Sequence, residues 1–226
     1  MTGKPCQDRA AGFVRGALAG VVLCDGAGSC AHSERAAQRM MEWIPDYLQI
    51  AFDTLYALPP EEAAAAAAAG QAALEVLGMP PEECYCTLLF YAAHADGRWL
   101  CGHIGDGYIF RIRQDTAVVF SAPENGHASN ETYFLSEPGA AQHLRIRSGE
   151  LHEPYAVLLT SDGGGDTLFD RQQQQPAPTV KRLCDWLTEN DEKTVTEALA
   201  HVIKEKMIPA TEDDVSVAIL YCGEDE

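Results

Sequence analysis

Phe90-Tyr91-Ala92-Ala93-His94-Ala95-Asp96-Gly97-Arg98-Trp99-Leu100-Cys101-Gly102-His103-Ile104 is two apolar runs joined by a turn dipeptide. Runs of aromatic and aliphatic residues at this length predict strands, over residues 84–94 and 99–104. Asp96-Gly97 between them supplies the backbone freedom that a hairpin turn needs. The pattern continues downstream, with strand character over 107–113 and 116–120 and Gln114-Asp115 between them. Successive short hairpins build antiparallel sheet. They count against a doubly wound parallel sheet, which needs a helix between neighbouring strands.

Upstream, residues 13–25 predict two strand pieces around Arg15-Gly16, the second over 19–24. The period then changes. Ala36, Met40, Ile44 and Tyr47 share one face of a helix over 33–57, with a kink or break expected at Pro45. Ser29 or Ser33 is a candidate cap, with Glu34 in the first turn. Pro59-Pro60-Glu61-Glu62 opens a second helix, and the alanine run 63–69 carries it to about residue 77.

Downstream, 121–142 is loop-like, 144–147 a short strand and 155–160 a central strand. Residues 163–178, with four glutamines and few core residues, are expected to form a mobile flap or surface insertion. Val180, Leu183 and Leu187 mark one helix, residues 195–207 a longer one, 214–220 a last strand and 222–226 an acidic tail. The order fits an α+β fold, a four-layer α-β-β-α sandwich of two antiparallel sheets with helices on both outer faces. A single domain over 1–226 is expected.

The chain has 226 residues, 46% of them hydrophobic, enough to bury a full core. Its formal net charge is -18, so no nucleic-acid surface is expected, because phosphate contacts need clustered Lys and Arg. No uninterrupted apolar stretch would span a bilayer and no membrane-targeting segment is evident. Of the eight cysteines, Cys24, Cys86, Cys101 and Cys222 lie inside apolar runs, as buried free thiols do, and no signal peptide is expected before them. A reducing, cytoplasmic setting is expected. The oligomeric state cannot be read from the sequence.

Chemistry concentrates in acids at strand tips. Val21-Val22-Leu23-Cys24-Asp25-Gly26 ends an apolar run in a carboxylate, and so do Ile104-Gly105-Asp106 and Leu158-Leu159-Thr160-Ser161-Asp162. Asp213-Asp214 precedes Val215-Ser216-Val217. Carboxylates delivered from separate strands suit Mg2+ or Mn2+, which prefer oxygen ligands. The seven histidines are scattered, with no zinc-protease pattern. Gly102 to Gly107 precedes a strand and lacks the helix of a dinucleotide fingerprint. Ser161 is not in a nucleophile elbow.

The chain resembles the bacterial PP2C-type (PPM) metal-dependent serine/threonine phosphatases. The likeness is carried, in order, by Gly3-Lys4-Pro5-Cys6-Gln7-Asp8-Arg9, Asp25-Gly26-Ala27-Gly28-Ser29, Cys84-Tyr85-Cys86-Thr87-Leu88, Ile104-Gly105-Asp106-Gly107, Thr160-Ser161-Asp162-Gly163 and Asp213-Asp214-Val215-Ser216-Val217. The resemblance implies that Asp25 bridges two Mn2+ or Mg2+ ions and that the Gly26 carbonyl binds one of them. Asp162 and Asp213 would complete the ligands of the second ion, and Asp8 would orient the attacking water. It implies structural support from Asp106, and a place beside the ligands for Asp214. The implied reaction is direct attack of metal-bridging water on phosphoserine or phosphothreonine proteins, with a kinase as a possible partner.

Three places depart from the family. Ala27 stands where eukaryotic members have a His read as general acid, and His32 is a candidate substitute. The family's phosphate-binding Arg is missing, which leaves Lys4, Arg9, Arg35 or the metals to hold the phosphate. A third-ion aspartate has no clean match among Glu124, Asn125 and His127, so a third ion stays open. A pseudophosphatase or phosphoprotein-binding module, or a hydrolase of small phosphoesters, is the alternative.

Overall fold

The computed structural model describes residues 6–68, 70–124 and 132–223. Lys4, Asn125, His127 and the acidic tail beyond Gly223 lie outside the described residues.

The first hairpin is β1 (Arg9–Arg15) and β2 (Leu18–Cys24). After the helices come β3 (Leu88–His94) and β4 (Arg98–Ile104), the hairpin read from the sequence. The next pair is β5 (Tyr108–Arg113) and β6 (Thr116–Ser121), whose turn residues Gln114 and Asp115 both take positive φ, 46° and 65°. β7 (Arg145–Glu150) and β8 (Tyr155–Thr160) follow. A small hairpin of β9 (Phe169–Asp170) and β10 (Gln175–Pro176) and the last strand, β11 (Val217–Cys222), complete the set. One antiparallel sheet has the order β1-β2-β3-β4-β7 and the other β11-β8-β5-β6.

Alternation divides the side chains into layers. Val21, Leu23, Leu89, Tyr91 and Trp99 meet Ile109, Tyr155, Val157 and Leu159 between the sheets. Val22, Cys24, Leu88, Phe90 and Leu100 face the opposite way, onto α1 (Ser33–Ala57), whose Ala36, Met40, Ile44 and Leu48 are buried there. On the far side Phe110, Ile112 and Leu158 pack on Leu168, Val180, Leu183 and Met207. The result is the α-β-β-α sandwich.

Several boundaries differ from expectation. α1 runs through Pro45, because its buried face is continuous from Ala36 to Leu55; burial of that face offsets the roughly 3 kcal/mol that an interior proline costs. Neither Ser29 nor Ser33 caps it; His32 is the N-cap residue, without a side-chain cap bond. The alanine segment forms two short helices, α2 (Pro60–Ala67) and α3 (Gly70–Glu75). Gly70, a poor helix former, is buried where a Cβ would lie 2.8 Å from Met40 Cε. The expected strand from 84 starts only at Leu88, with Cys86 in an isolated bridge to Gly26.

Residues 163–178, expected as a flap, belong to regular elements: α4 (Asp162–Leu168), the β9–β10 hairpin and the start of α5 (Pro178–Glu189). The last helical stretch is α6 (Glu192–Val202), capped by Asp191 Oδ1 accepting from Thr194 N at 2.9 Å, then a π-type turn over Ile203–Met207. Among the described residues, no helix is long and apolar enough to cross a membrane. All eight cysteines are free thiols.

Candidate metal centre

Strand register alone brings the acids to one end of the sandwich. Arg9 pairs with Cys24, so Asp8 and Asp25 leave the β1–β2 ladder side by side. Leu88 pairs with Ile104, which puts Thr87 opposite the Gly105-Asp106-Gly107 link that carries the chain into the second sheet. Thr160 pairs with both Val217 and Tyr108, so Asp162 emerges next to the segment holding Asp213 and Asp214.

Backbone and hydroxyl contacts fix each acid. Asp25 N donates to Thr87 Oγ1 at 3.0 Å and Thr87 N to Asp25 O at 2.8 Å. Gly105 holds φ at 121°, a region that suits glycine, and turns Asp106 toward the others. Thr132 Oγ1 donates to Asp106 Oδ2. Asp162 opens α4, its Oδ1 accepting from Gly163 N at 2.6 Å. Ser216 N donates to Ser161 Oγ at 3.0 Å and Thr160 Oγ1 to Ser216 O at 3.0 Å, which ties the Asp213-Asp214 segment to the end of β8. Asp214 Oδ2 accepts from Gln7 N at 2.7 Å and so reaches across to the first sheet.

Carboxylate oxygens of Asp25, Asp106 and Asp162 all lie within 4.8 Å of one another. Asp8 adjoins Asp25; it is 4% exposed, and among the described residues neither of its oxygens meets a donor in hydrogen-bonding geometry, although Ser161 and Ser216 lie near it. The electrostatics follow from this crowding. Burial, then the charges of Asp8 and Asp162, holds Asp25 well above the usual carboxylate range. Burial, then Asp106 and Asp213, pushes Asp162 up to about 7. Burial also raises Asp8 and Asp106. Partly buried carboxylates without a counter-charge are costly. Hard oxygen donors, with Asp8 oxygens that meet no well-placed donor among the described residues, fit Mg2+ or Mn2+.

Residues 1–204 match the family described as Protein phosphatase 2C. The chain belongs to the protein phosphatase 2C family. By family it is a metal-dependent protein phosphatase. Solved structures share the fold. A bacterial serine phosphatase superposes with a TM-score of 0.67 at 14% identity, covering 99% of this chain and 94% of that one. The catalytic domain of the serine/threonine phosphatase PstP, in complex with 2 manganese ions, gives 0.63 at 17%, covering 100% and 94%. RsbX in complex with magnesium gives 0.58 at 12%, covering 97% and 89%. No curated protein matches in sequence.

Within this phosphatase 2C chain, the residues singled out from the sequence take the following places. Asp106, expected as support, has its carboxylate inside the acid group, whereas Asp213 is exposed at its rim. Gly26 is buried against Ser33, at the start of α1. His32 is not a member of the acid group; its Nε2 lies 3.4 Å from Glu83 Oε2. Arg9 braces the Asp8 segment: Nη1 donates to Cys6 O at 2.9 Å and Asp8 O at 2.7 Å, and Nε to Gln38 Oε1 at 2.9 Å. Arg35 Nη1 reaches Met79 Sδ at 3.3 Å. Glu124 is drawn to His143 and Arg145, at 3.3 and 3.4 Å.

One residue near the centre carried no sequence signal. A cavity of about 550 Å³ opens beside Asp162 and Asp213, and Arg171 lines it. It sits in a glutamine-rich stretch that composition alone assigns to surface loop.

Proposed function

We propose that this chain hydrolyses phosphoserine and phosphothreonine monoesters in proteins at the acid cluster formed by Asp8, Asp25, Asp106, Asp162 and Asp213. The observation that carries this reading is the approach of Asp25, Asp106 and Asp162 to within 4.8 Å, beside the buried carboxylate of Asp8. Two Mn2+ or Mg2+ ions held there would supply activated water and neutralise charge on the phosphoryl oxygens.

The chain's own residues then divide the work. Asp25, flanked by Asp8 and Asp162, would be a ligand common to the two ions, and the Gly26 carbonyl would serve one of them. Asp162, Asp213 and Asp106 would complete the oxygen set, and Thr132 holds Asp106 in place. Asp8 has buried acceptors without a well-placed donor among the described residues, so it would orient the nucleophilic water and take up its proton. No covalent phospho-enzyme is needed.

A single domain spanning 1–226, cytoplasmic action consistent with the free thiols, and a kinase that supplies the phosphoprotein belong to the same proposal. Asp25→Asn and Asp162→Asn test it. Each is expected to lower turnover of a phosphothreonine peptide at least a hundredfold while the melting temperature is retained. Unchanged turnover in both would remove these acids from the mechanism.

A further inference from the structure

The β9–β10 hairpin presents one side chain to the cavity beside the metal centre, and its base is firmly built. Ala177 N donates to Leu168 O at 2.8 Å, and the Phe169 ring stacks on Tyr108 with centroids 5.0 Å apart. Asp170 Oδ1 accepts from the backbone N–H groups of Gln172 and Gln173, each at 2.9 Å. Gln174 Nε2 donates to Arg171 O at 2.7 Å. The Arg171 backbone is thus held on both sides.

The Arg171 side chain is 75% exposed, and its Nη2 donates to Asp166 Oδ1 at 2.7 Å. Asp166 Oδ2 in turn accepts from Thr211 Oγ1 at 3.1 Å, and the same hydroxyl lies 3.3 Å from Asp213 N. Arg171 is therefore linked through Asp166 and Thr211 to the segment that carries Asp213. It is the one basic side chain among the described residues lining this cavity, whose walls also carry Asp162, Asp166, Glu212 and Asp213. A guanidinium has five N–H donors, so the bond to Asp166 leaves others for a ligand.

The charge around Arg171 selects the ligand. Acidic walls disfavour a second anionic group there, whereas a peptide carbonyl is a neutral acceptor that a guanidinium can hold. On the phosphatase reading, the phosphoryl charge would be met by cations at the neighbouring acids. We propose that Arg171 is a substrate-docking residue that donates to main-chain carbonyls of the phosphopeptide next to the scissile ester, favouring polypeptide over small phosphoesters. This role rests on the phosphatase reading above.

The test compares kcat/KM of the manganese-loaded full chain on an alanine-flanked phosphothreonine peptide and on para-nitrophenyl phosphate. The peptide-to-aryl ratio is expected to fall about tenfold in Arg171→Ala, mainly through a higher KM for the peptide, as loss of one charge-assisted hydrogen bond implies. Arg171→Lys keeps the charge without the planar fork and should recover part of the loss. Gln173→Ala, on the same loop, should leave the ratio alone. An unchanged ratio in Arg171→Ala, whether both substrates lose equally or neither does, would overturn the docking role. Wild-type protein inert toward both esters would overturn the phosphatase reading and the docking role with it, a result distinct from active protein with an unchanged ratio.

Discussion

In the metal-free protein Asp162 keeps its proton up to about pH 7, because it is buried and faces Asp106 and Asp213. An unfolded chain releases that proton near pH 4. The folded state therefore binds the proton more tightly, and the associated stability is complete below about pH 4 and lost as pH rises through about 7. Asp8, Asp25 and Asp106 are shifted in the same direction by burial. Thermal melts of chelated protein should give a higher melting temperature at pH 5 than at pH 7.5. Saturating Mn2+ should reduce or reverse that slope, since a cation favours the ionised carboxylates. A melting temperature of chelated protein that rises steadily from pH 5 to 7.5 would contradict the crowding of these acids. At the same scale, Ala27 leaves the position after Asp25-Gly26 without a titratable group. His32 pairs with Glu83 rather than joining the acids.

Among the elements, α4 depends most on close approach. A Cβ on Gly164 would run into Thr160 Oγ1, the hydroxyl that donates to Ser216 O at 3.0 Å, and one on Gly165 would lie 2.8 Å from Tyr108 Cε2. Alanine would gain up to about 1 kcal/mol in helix propensity, but overpacking costs roughly 1–3 kcal/mol. Gly164→Ala should therefore lower the melting temperature and weaken Mn2+ binding, because Asp162 and the Asp213 segment share that contact. Differential scanning fluorimetry with a manganese titration reads both, and an unchanged melting temperature and affinity would show that the helix can move without cost.

This element also shows where the sequence was silent. The hairpins at Asp96-Gly97 and Gln114-Asp115 were legible because turn chemistry and a two-residue period are local signals. Residues 163–178 were not, because their order comes from tertiary contacts: glycines against Thr160 and Tyr108, and Phe169 on Tyr108. Pro45 gave a local signal to break the helix, and the continuous buried face of α1 overrode it. Asp106 was visible as an acid between glycines. That it reaches the acid group depends on how the chain crosses between sheets, and no spacing encodes that.

Across the whole molecule, the two sheets serve as a device for convergence. Residues of β1, β2, β4, β8 and β11 have no chemistry of their own, yet their registers deliver Asp8, Asp25, Asp106, Asp162 and Asp213 to one end of the sandwich. The chain carries a net charge of -18 and gathers several of its acids at partly buried positions, an arrangement that is costly unless cations enter. Metal dependence is thus the central claim. Its most direct test is turnover of a phosphothreonine peptide by protein stripped with a chelator and then supplied with Mn2+. Activity should be absent from the stripped protein and return with manganese, and full turnover by the stripped protein would contradict the account.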